Sequence, residues 1–316
     1  MARILITGAG GFIGSNLIPF LKDKGHFVRA VDMLYPEMRS TLGAHADEVL
    51  TINLKDLAGA IIATKNIDYV IHLAADMGGV GYFHKQDYYP YLNNMEVDIN
   101  MLGACEQNNI KRLFYSSSAC IYPIHQQMDT NNVPKLSEDM VFPANCDQMY
   151  GWEKLMMTML CQRSPIDCRV GIFHTIFGPY QEIEGERMKF PTAIATKVLE
   201  SKKTGQPIEI WGNGSQIRSF CNIYDAMEKI YLVLTDNYKG PVNIGSDEAL
   251  TVKEVAEMCC EITDTPKNFI FNDKQPSGVL ARNCDNTRFE QIYGYKNKFT
   301  TKEGFEKLIN WLRGGE

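Results

Sequence analysis

Short apolar runs alternate with longer amphipathic stretches through the first half of the chain. The first run, Arg3-Ile-Leu-Ile-Thr7, leads directly into a glycine-rich turn and a predicted helix that ends near Lys24. Four further apolar runs of strand length follow, separated by helical stretches, at 27–31, 49–53, 69–73 and 113–116. Strands that alternate with helices in this way are typical of a parallel sheet covered by helices. The sequence therefore predicts an α/β fold with a doubly wound parallel sheet.

The pattern becomes less regular in the second half of the chain. From about Phe177, Gly178-Pro179 and Gly185 interrupt the periodicity. Chain order suggests that the segment from Phe220 to about Ile244 returns to the first domain. We therefore predict a first domain and a smaller C-terminal α/β lobe, with the first at 1–174 and 220–245 and the second at 175–219 and 246–316.

The glycine-rich turn has the spacing of a dinucleotide-binding loop. It reads Gly8-Ala-Gly-Gly11-Phe12-Ile13-Gly14 and lies between a strand and a helix. Gly8 permits a tight turn, Gly11 lets a pyrophosphate approach the backbone, and Gly14 permits close packing of helix and strand. Asp32 ends the next strand, where a carboxylate accepts hydrogen bonds from ribose hydroxyls and repels a 2′-phosphate. The sequence therefore predicts NAD as cofactor in preference to NADP.

Polar groups suited to redox chemistry follow the fifth predicted strand. Tyr150 and Lys154 are four residues apart, so both side chains lie on one face of a helix. The ammonium is expected to lower the pKa of the Tyr150 phenol and make it a base near neutral pH. Ser118 is expected to hydrogen-bond the same substrate oxygen, and Cys120 adds a titratable group that a plain alcohol dehydrogenase does not need. The pattern predicts oxidation of a carbinol followed by proton transfer beside it.

Composition limits the classes of partner. The 316 residues carry a net charge of −6, so no basic surface for nucleic acid is expected. The nine cysteines lack the spacing of a zinc site, and with no signal-peptide pattern they are interpreted as reduced thiols of a cytoplasmic protein without a metal. The apolar run Ile4–Thr7 is too short to span a membrane, so no membrane partner is expected.

Several segments resemble the extended short-chain dehydrogenase/reductase family of nucleotide-sugar enzymes. They are, in chain order, TGxxGFIG, LAAD, SSSAC and YGWEK. Within that family, the similarity to the GDP-mannose 3,5-epimerase group rests on AADMGGVG, SSACIYP, FHTIFGP, RMKFP, WGNGSQIRSF, VNIGSDE and GVLARNCDN. The resemblance implies a Rossmann-type sheet with a substrate-binding lobe, bound NAD and a GDP-sugar substrate. It also implies a homodimer through helices near 91–109 and 148–164.

The resemblance implies roles for five residues. Tyr150 takes the proton of the C4 hydroxyl while NAD⁺ accepts the hydride, with Ser118 and Lys154 completing this set. The resulting 4-ketone acidifies the hydrogens on C3 and C5. Cys120 and Lys189 then act as a base and acid pair on opposite faces of the ring. Return of the hydride restores the alcohol, so the cofactor is not consumed.

Two sets of binding residues are implied by the same resemblance. The cofactor-binding set comprises Gly8, Gly11, Phe12, Ile13, Gly14, Asp32, Asn53, Leu54, Ala74, Ala75, Tyr150 and Lys154. The substrate-binding set comprises Gly78, Ser118, Ala119, Cys120, Thr175, Lys189, Lys197, Gln216, Arg218 and Arg282. The last four match positions at or near the nucleotide diphosphate, where the planar fork of arginine suits phosphate oxygens.

Four positions depart from the family pattern. Thr175 stands where an asparagine is usual, Phe177 replaces a tyrosine, and Met188 replaces a glutamate beside the catalytic lysine. Asn53 stands where many relatives carry an aspartate that contacts adenine. These changes affect substrate identity more than mechanism, so another GDP-hexose or a GDP-heptose stays open.

Other functions are weighed against the same residues. The nearest alternative is a GDP-4-keto-sugar epimerase/reductase that resembles GDP-fucose synthase and uses NADPH; Asp32 disfavours it. A 4,6-dehydratase needs an acid pair that Ala119-Cys120 does not supply, and a simple 4-epimerase does not need Cys120 plus Lys189. The intact dehydrogenase residues disfavour a catalytically silent NAD-binding regulator.

Overall fold

Strands and helices alternate along the protein in a computed structural model that describes residues 1–33, 45–86, 88–275 and 278–315. The strands of these ranges are β1 Arg3–Thr7, β2 Phe27–Asp32, β3 Glu48–Thr51, β4 Tyr69–His72, β5 Arg112–Ser118, β6 Lys135–Leu136, β7 Cys168–Phe173, β8 Thr175–Phe177, β9 Ile208–Trp211, β10 Ile217–Asn222, β11 Val242–Ile244, β12 Ala249–Thr251, β13 Phe269–Asn272 and β14 Ala281–Cys284. The helices are α1 Phe12–Asp23, α2 Leu57–Thr64, α3 Val80–Lys85, α4 Tyr89–Gln107, α5 Gln148–Arg163, α6 Phe190–Thr204, α7 Ile223–Thr235, α8 Val252–Thr263, α9 Thr287–Tyr293 and α10 Thr301–Leu312. Short 3₁₀ turns lie at Ala119–Ile121, Ile124–Gln127 and Glu138–Val141.

The larger sheet has seven strands in the order β11-β7-β5-β4-β1-β2-β3. All of its pairings are parallel. The strand order reverses between β1 and β4, and ligands of such sheets bind at the carboxyl ends of the strands beside this reversal. The predicted doubly wound parallel sheet is confirmed, and the predicted strands end within about two residues of the observed ones.

Helices cover both faces of this sheet. Ile4 and Ile6 of β1 point into a buried cluster formed with α1 and α7, whereas Leu5 points into a second cluster with α2, α4 and α5. This alternation explains why the central strands are apolar on both faces. None of the helices in the described part of the chain is long and apolar enough to cross a membrane.

A smaller mixed sheet lies beyond the carboxyl ends of the large one. Its strand order is β12-β10-β14-β6, with β8 paired to β10, and β9 and β13 form a separate parallel pair. Helices α6, α8 and α10 pack around Phe177 and Phe220 in its core. Strand β6 comes from the segment between β5 and α5, so the first half of the chain contributes to this sheet, while α7 and β11 pack with the larger one.

Candidate active site

The glycine loop at the end of β1 makes two backbone approaches that a side chain would block. Gly8 has φ +66°, and a Cβ there would lie 2.8 Å from the backbone nitrogen of Ala74, which follows β4. A Cβ on Gly14 would lie 2.3 Å from the carbonyl oxygen of Gly8. The loop therefore turns sharply, and the first turn of α1 packs against the loop backbone at the point where the strand order reverses.

The groups around this loop fit a dinucleotide. Helix α1 begins at Phe12 without a side-chain cap among the described residues, so the amides of its first turn are available to an anion. The Asp32 carboxylate at the end of β2 accepts hydrogen bonds from the amides of Gly10 at 2.9 Å and Met33 at 2.7 Å. Because a carboxylate has about four acceptor positions, it can also accept ribose hydroxyls.

The other predicted cofactor residues lie at two strand ends. Ala74 and Ala75 are half-buried after β4, and the amide of Ala74 donates to Thr7 Oγ1 at 3.2 Å. After β3, the Asn53 side-chain oxygen accepts from the amide of Lys55 at 3.1 Å. Leu54 is buried in the core, so only its backbone can face a ligand.

Tyr150 is buried at the start of α5 and stacks on Phe83, with 5.0 Å between ring centroids. We expected Lys154 to lower the pKa of this phenol. Lys154 and hydrogen bonding by Ser118 do act in that direction, but burial outweighs them and raises the pKa of Tyr150 above its ordinary value. The expectation of a net lowering is wrong for the protein alone, because two groups cannot offset the loss of hydration around a buried phenolate.

Lys154 points into a fully buried polar network. Its Nζ donates to Tyr115 Oη at 3.0 Å and lies 3.1 Å from Glu153 Oε1 and 3.7 Å from Asp98 Oδ2. Tyr115 in turn donates to Asp98 at 2.8 Å. Burial opposes the ammonium, but the two carboxylates and Tyr115 raise the pKa of Lys154 well above its ordinary value.

The residues that surround Lys154 were not predicted from the sequence. Asp98 comes from α4 and also contacts His72 Nε2 at 2.9 Å, whereas Glu153 accepts from Asn94 at 3.0 Å. Only Glu153 stood in a motif, as the fourth residue of YGWEK. The others come from β4, α4 and β5, and no spacing in the sequence links them.

Helix α5 lies directly against the turn that carries Cys120. A Cβ on Gly151 would lie 2.2 Å from the carbonyl oxygen of Cys120, so glycine allows this approach. The amide of Cys120 donates to Ser118 Oγ at 3.2 Å, and that of Asp147 donates to the Cys120 carbonyl at 3.0 Å. Ala119, between Ser118 and Cys120 in the sequence, is buried, so its side chain belongs to the core.

A guanidinium lies against the thiol. Arg282 donates through Nη1 to Cys120 Sγ at 3.3 Å, through Nη2 to Asp147 at 3.0 Å and through Nε to Gln127 at 2.5 Å. Arg218 donates to the carbonyl oxygen of Val279 at 2.6 Å, and its enclosure together with repulsion by Arg282 lowers its pKa to about 10. Two guanidiniums lie close together, and Asp147 offsets only part of their positive charge, so this environment favours an anion.

Lys189 immediately precedes α6, as its N-cap residue. Its side chain is exposed to solvent. The surrounding protein still removes enough hydration to lower the pKa of its ammonium, while Cys120 acts in the opposite direction. The structure thus brings Lys189 into the electrostatic environment of Cys120.

The remaining predicted substrate residues are more dispersed. Lys197 donates to the carbonyl oxygen of Glu209 at 3.0 Å, and among the described residues no contact links it to the two arginines. Gln216 is buried, and its side-chain oxygen has no described partner. Thr175 is half-buried on β8, paired with β10. A Cβ on Gly78 would lie 2.5 Å from the Tyr82 side chain, so packing alone accounts for this glycine.

Comparison with known proteins identifies the family of this chain. Residues 4–245 match the NAD dependent epimerase/dehydratase family. The chain belongs to this family. GDP-mannose 3,5-epimerase of Arabidopsis thaliana is 38% identical over 315 residues, which is 98% of this chain and 82% of that protein. The family resemblance found in the sequence is therefore confirmed, and NAD is the cofactor of the protein.

More distant relatives share the fold over almost the whole chain. GDP-L-fucose synthase 1 of Arabidopsis thaliana is 25% identical over 320 residues, covering 98% of this chain and 93% of the relative. The crystal structure of a UDP-glucose 4-epimerase from Thermotoga maritima aligns with a TM-score of 0.88 at 21% identity, covering 99% of each chain. At that identity the structural match establishes the fold alone.

Proposed function

We propose that the protein is an NAD-dependent GDP-sugar epimerase of the GDP-mannose 3,5-epimerase type. The observation that carries this proposal is a second set of proton-transfer groups beside the dehydrogenase residues. Cys120 lies directly against the helix that carries Tyr150 and accepts a hydrogen bond from Arg282 at 3.3 Å, and it is near enough to Lys189 to affect the pKa of that ammonium. A plain dehydrogenase needs only Ser118, Tyr150 and Lys154, so the additional pair supports chemistry at carbon.

In this proposal the residues act in two stages. Tyr150 accepts the proton of the C4 hydroxyl, assisted by Ser118, and Lys154 keeps a fixed positive charge beside the phenol. NAD⁺, when bound, supplies reversible hydride acceptance at C4. With C4 at the ketone level, Cys120 and Lys189 remove and return protons at the neighbouring carbons, and Arg282 places positive charge next to the sulfur.

The cofactor would be held by the glycine loop and the strand ends beside it. The amides at the start of α1 would bind the pyrophosphate, and Asp32 would accept the ribose hydroxyls. Ala74 and Ala75 have small side chains that leave their backbone open to a ligand. The same Asp32 carboxylate disfavours a 2′-phosphate, which supports NAD-dependent epimerisation over an NADPH-dependent reductase.

A diphosphate substrate is supported by the two guanidiniums. Arg218 has hydrogen bonds to carbonyl oxygens, and repulsion between it and Arg282 is relieved when an anion binds. Lys197, 5.8 Å from the Trp211 ring, and the buried Gln216 would contact more distant parts of the nucleotide. The name of the Arabidopsis relative at 38% identity supports GDP-mannose as the sugar nucleotide.

We also propose a homodimer, in which α4 and α5 of two copies pack as a four-helix bundle. Large apolar side chains are exposed on these helices, namely Leu92 40%, Ile99 51%, Met149 57%, Trp152 43%, Met156 48% and Leu160 41%. On α5 they recur at helical spacing and form one stripe, which favours an interface. Sedimentation velocity would measure the oligomeric state.

We also propose a division into two domains and a cytoplasmic location. A cofactor domain at 1–174 and 220–245 would bind NAD, and a lobe at 175–219 and 246–316 would bind the nucleotide sugar. The packing of α7 and β11 with the large sheet supports this interleaving. The nine free thiols support a cytoplasmic location.

Proton NMR of GDP-mannose in D2O with no added reductant tests the activity. We expect deuterium at C3 and C5, new signals of an L-sugar, and no net reduction of NAD. Absence of exchange with GDP-mannose and with other GDP-hexoses would reject the epimerase. Consumption of a 4-keto-GDP-sugar with NADPH would then support the reductase alternative.

A further inference from the structure

The segment before α6 is fastened to the segment after β4 by one arginine. Arg187 Nη2 lies 2.7 Å from Asp76 Oδ1 and donates to Tyr82 Oη at 3.0 Å, while Nη1 donates to the Met77 carbonyl oxygen at 2.7 Å. Its guanidinium also lies 4.4 Å from the centroid of the Tyr82 ring. Tyr82 donates to Asp76 at 2.8 Å, so the three side chains form a closed set of contacts. Asp76 and Tyr82 therefore hold the Arg187 guanidinium in place, although 48% of the Arg187 side chain is exposed.

Asp76 is a rigid and charged anchor for this arginine. Its amide donates to Asn94 Oδ1 at 2.6 Å, and Asn94 is buried on α4, where it also donates to Glu153. Burial acts against the carboxylate, but hydrogen bonds from Tyr82 and Arg187 lower the pKa of Asp76 below its ordinary value. The anchor is therefore ionised at neutral pH and fixed to the same helix pair that surrounds Lys154.

The backbones of the two segments also meet closely. A Cβ on Gly79 would lie 2.8 Å from the carbonyl oxygen of Met188, the residue between Arg187 and Lys189. This contact leaves no room for a side chain at position 79. The segment around Met188 is thus seated directly on the chain that follows β4.

Lys189 has no comparable anchor of its own. Its side chain makes no hydrogen bond or ion pair within the ranges that the structure describes, although Cys120 is near enough to affect the pKa of its ammonium. The position of its ammonium therefore depends on the backbone that carries it. Arg187, two residues earlier, is the side chain that fixes this backbone.

We propose that Arg187 and Asp76 are positioning residues that hold the segment 185–189 in place, so that Lys189 stays close to Cys120. The inference rests on the proposed function, because it assigns Lys189 to proton transfer at carbon. Arg187 touches no reacting atom in this scheme. Its loss should therefore impair the carbon step while leaving oxidation at C4 in place.

The test compares R187Q and D76N with E186Q. Glu186 pairs with Lys85 on the surface next to Arg187, so E186Q breaks an ion pair of the same segment that lies away from Asp76. Two rates are measured in each variant: deuterium exchange at C3 and C5, and formation of reduced cofactor in a single turnover. We expect R187Q and D76N to lower exchange by about 10- to 100-fold, because a misplacement of about 1 Å has this effect, with C4 oxidation unchanged. E186Q should change neither rate, and R187K should recover part of the exchange by keeping the ion pair.

A second measurement does not depend on turnover. A short crosslinker that reacts with a thiol and an amine should join Cys120 to Lys189 in the wild-type protein, as identified by mass spectrometry. The yield should fall in R187Q and D76N and persist in E186Q. Equal loss of both rates, a change confined to KM, or crosslinking that is absent from the wild type or unaffected by R187Q would overturn the positioning role. Failure of the proposed function would instead appear as absent exchange in the wild type, and the crosslink would still test the geometry.

Discussion

Two lysines of this site have opposite surroundings. Lys154 is 2% exposed, lies between two carboxylates, and its pKa is raised well above the ordinary value. Lys189 is exposed, has no carboxylate partner among the described residues, and its pKa is lowered. The ammonium of Lys154 is therefore kept protonated, whereas the lowered pKa of Lys189 makes the loss of its proton easier.

The difference follows from what replaces water around each ammonium. At Lys154 the lost hydration is offset by Asp98, Glu153 and the Tyr115 hydroxyl, which are themselves held by buried hydrogen bonds. At Lys189 the hydration is reduced with no carboxylate among the described residues to offset it, and Cys120 compensates only in part. A fixed charge suits stabilisation of a phenolate, whereas a lysine with a lowered pKa suits transfer of a proton. We therefore treat the surroundings of Lys154 as the closed corner of the site, and those of Cys120 and Lys189 as its open corner.

The largest effect is expected from removing the base of the closed corner. Tyr150→Phe keeps the stacking on Phe83 but removes the proton acceptor, so hydride transfer should fall by about 10²- to 10⁴-fold. Single-turnover absorbance of the reduced nicotinamide measures this step directly. Titration of NAD binding is the control and should change little. A Tyr150→Phe enzyme with near-normal hydride transfer would remove Tyr150 from the mechanism.

A smaller and more selective effect is expected in the open corner. Cys120→Ala should leave C4 oxidation intact and lower deuterium exchange at carbon by about 10²-fold, because one proton-transfer group is lost. Cys146→Ala is the matched control: this buried thiol lies beside Gly151 and donates to the carbonyl oxygen of Ile121. It should preserve both rates. Undiminished exchange in Cys120→Ala would exclude the thiol as a proton-transfer group.

The sequence predicted the open corner better than the closed one. Cys120, Lys189 and Arg282 each stand in a segment that resembles a family motif, and the structure brings Arg282 onto the thiol. The carboxylates around Lys154 were not predicted in this role, because Asp98 is one polar residue on a long helix and its partners are distant in the chain. The pKa of Tyr150 was predicted with the wrong sign for a related reason. Spacing reveals a neighbouring charge, whereas the burial that outweighs it depends on the tertiary fold.

The hydrophobic pattern predicted strands correctly where successive side chains point to opposite faces of the sheet. Leu5 and its neighbours Ile4 and Ile6 face opposite clusters, so an apolar run indicated a strand covered on both faces. The short strand Lys135–Leu136 was not predicted. Two residues carry no periodicity, and their pairing with β14 joins segments more than a hundred positions apart.

The smallest effects are expected on stability, where the same change from aspartate to asparagine is made once in each corner and the free energy of unfolding is measured. Asp98→Asn leaves the buried Lys154 with an incomplete set of partners and should lower the free energy of unfolding by about 3–5 kcal/mol. Asp147→Asn breaks the pair with Arg282, whose members are 20% and 12% exposed, and should cost about 1 kcal/mol because solvent partly replaces the carboxylate. Urea unfolding followed by circular dichroism at neutral pH measures both variants.

The pH dependence of this stability loss distinguishes the loss of the Asp98 charge from a simple packing defect. The pKa of Asp98 is lower in the folded protein than its ordinary 3.8, with Lys154 and His72 offsetting its burial. Its contribution to stability is therefore fully present above about pH 5 and is lost as the pH falls through the folded value. The stability gap between wild type and Asp98→Asn should then narrow in acid. A gap that stays constant into strong acid, or a larger cost for Asp147→Asn, would contradict the distinction between a closed and an open corner.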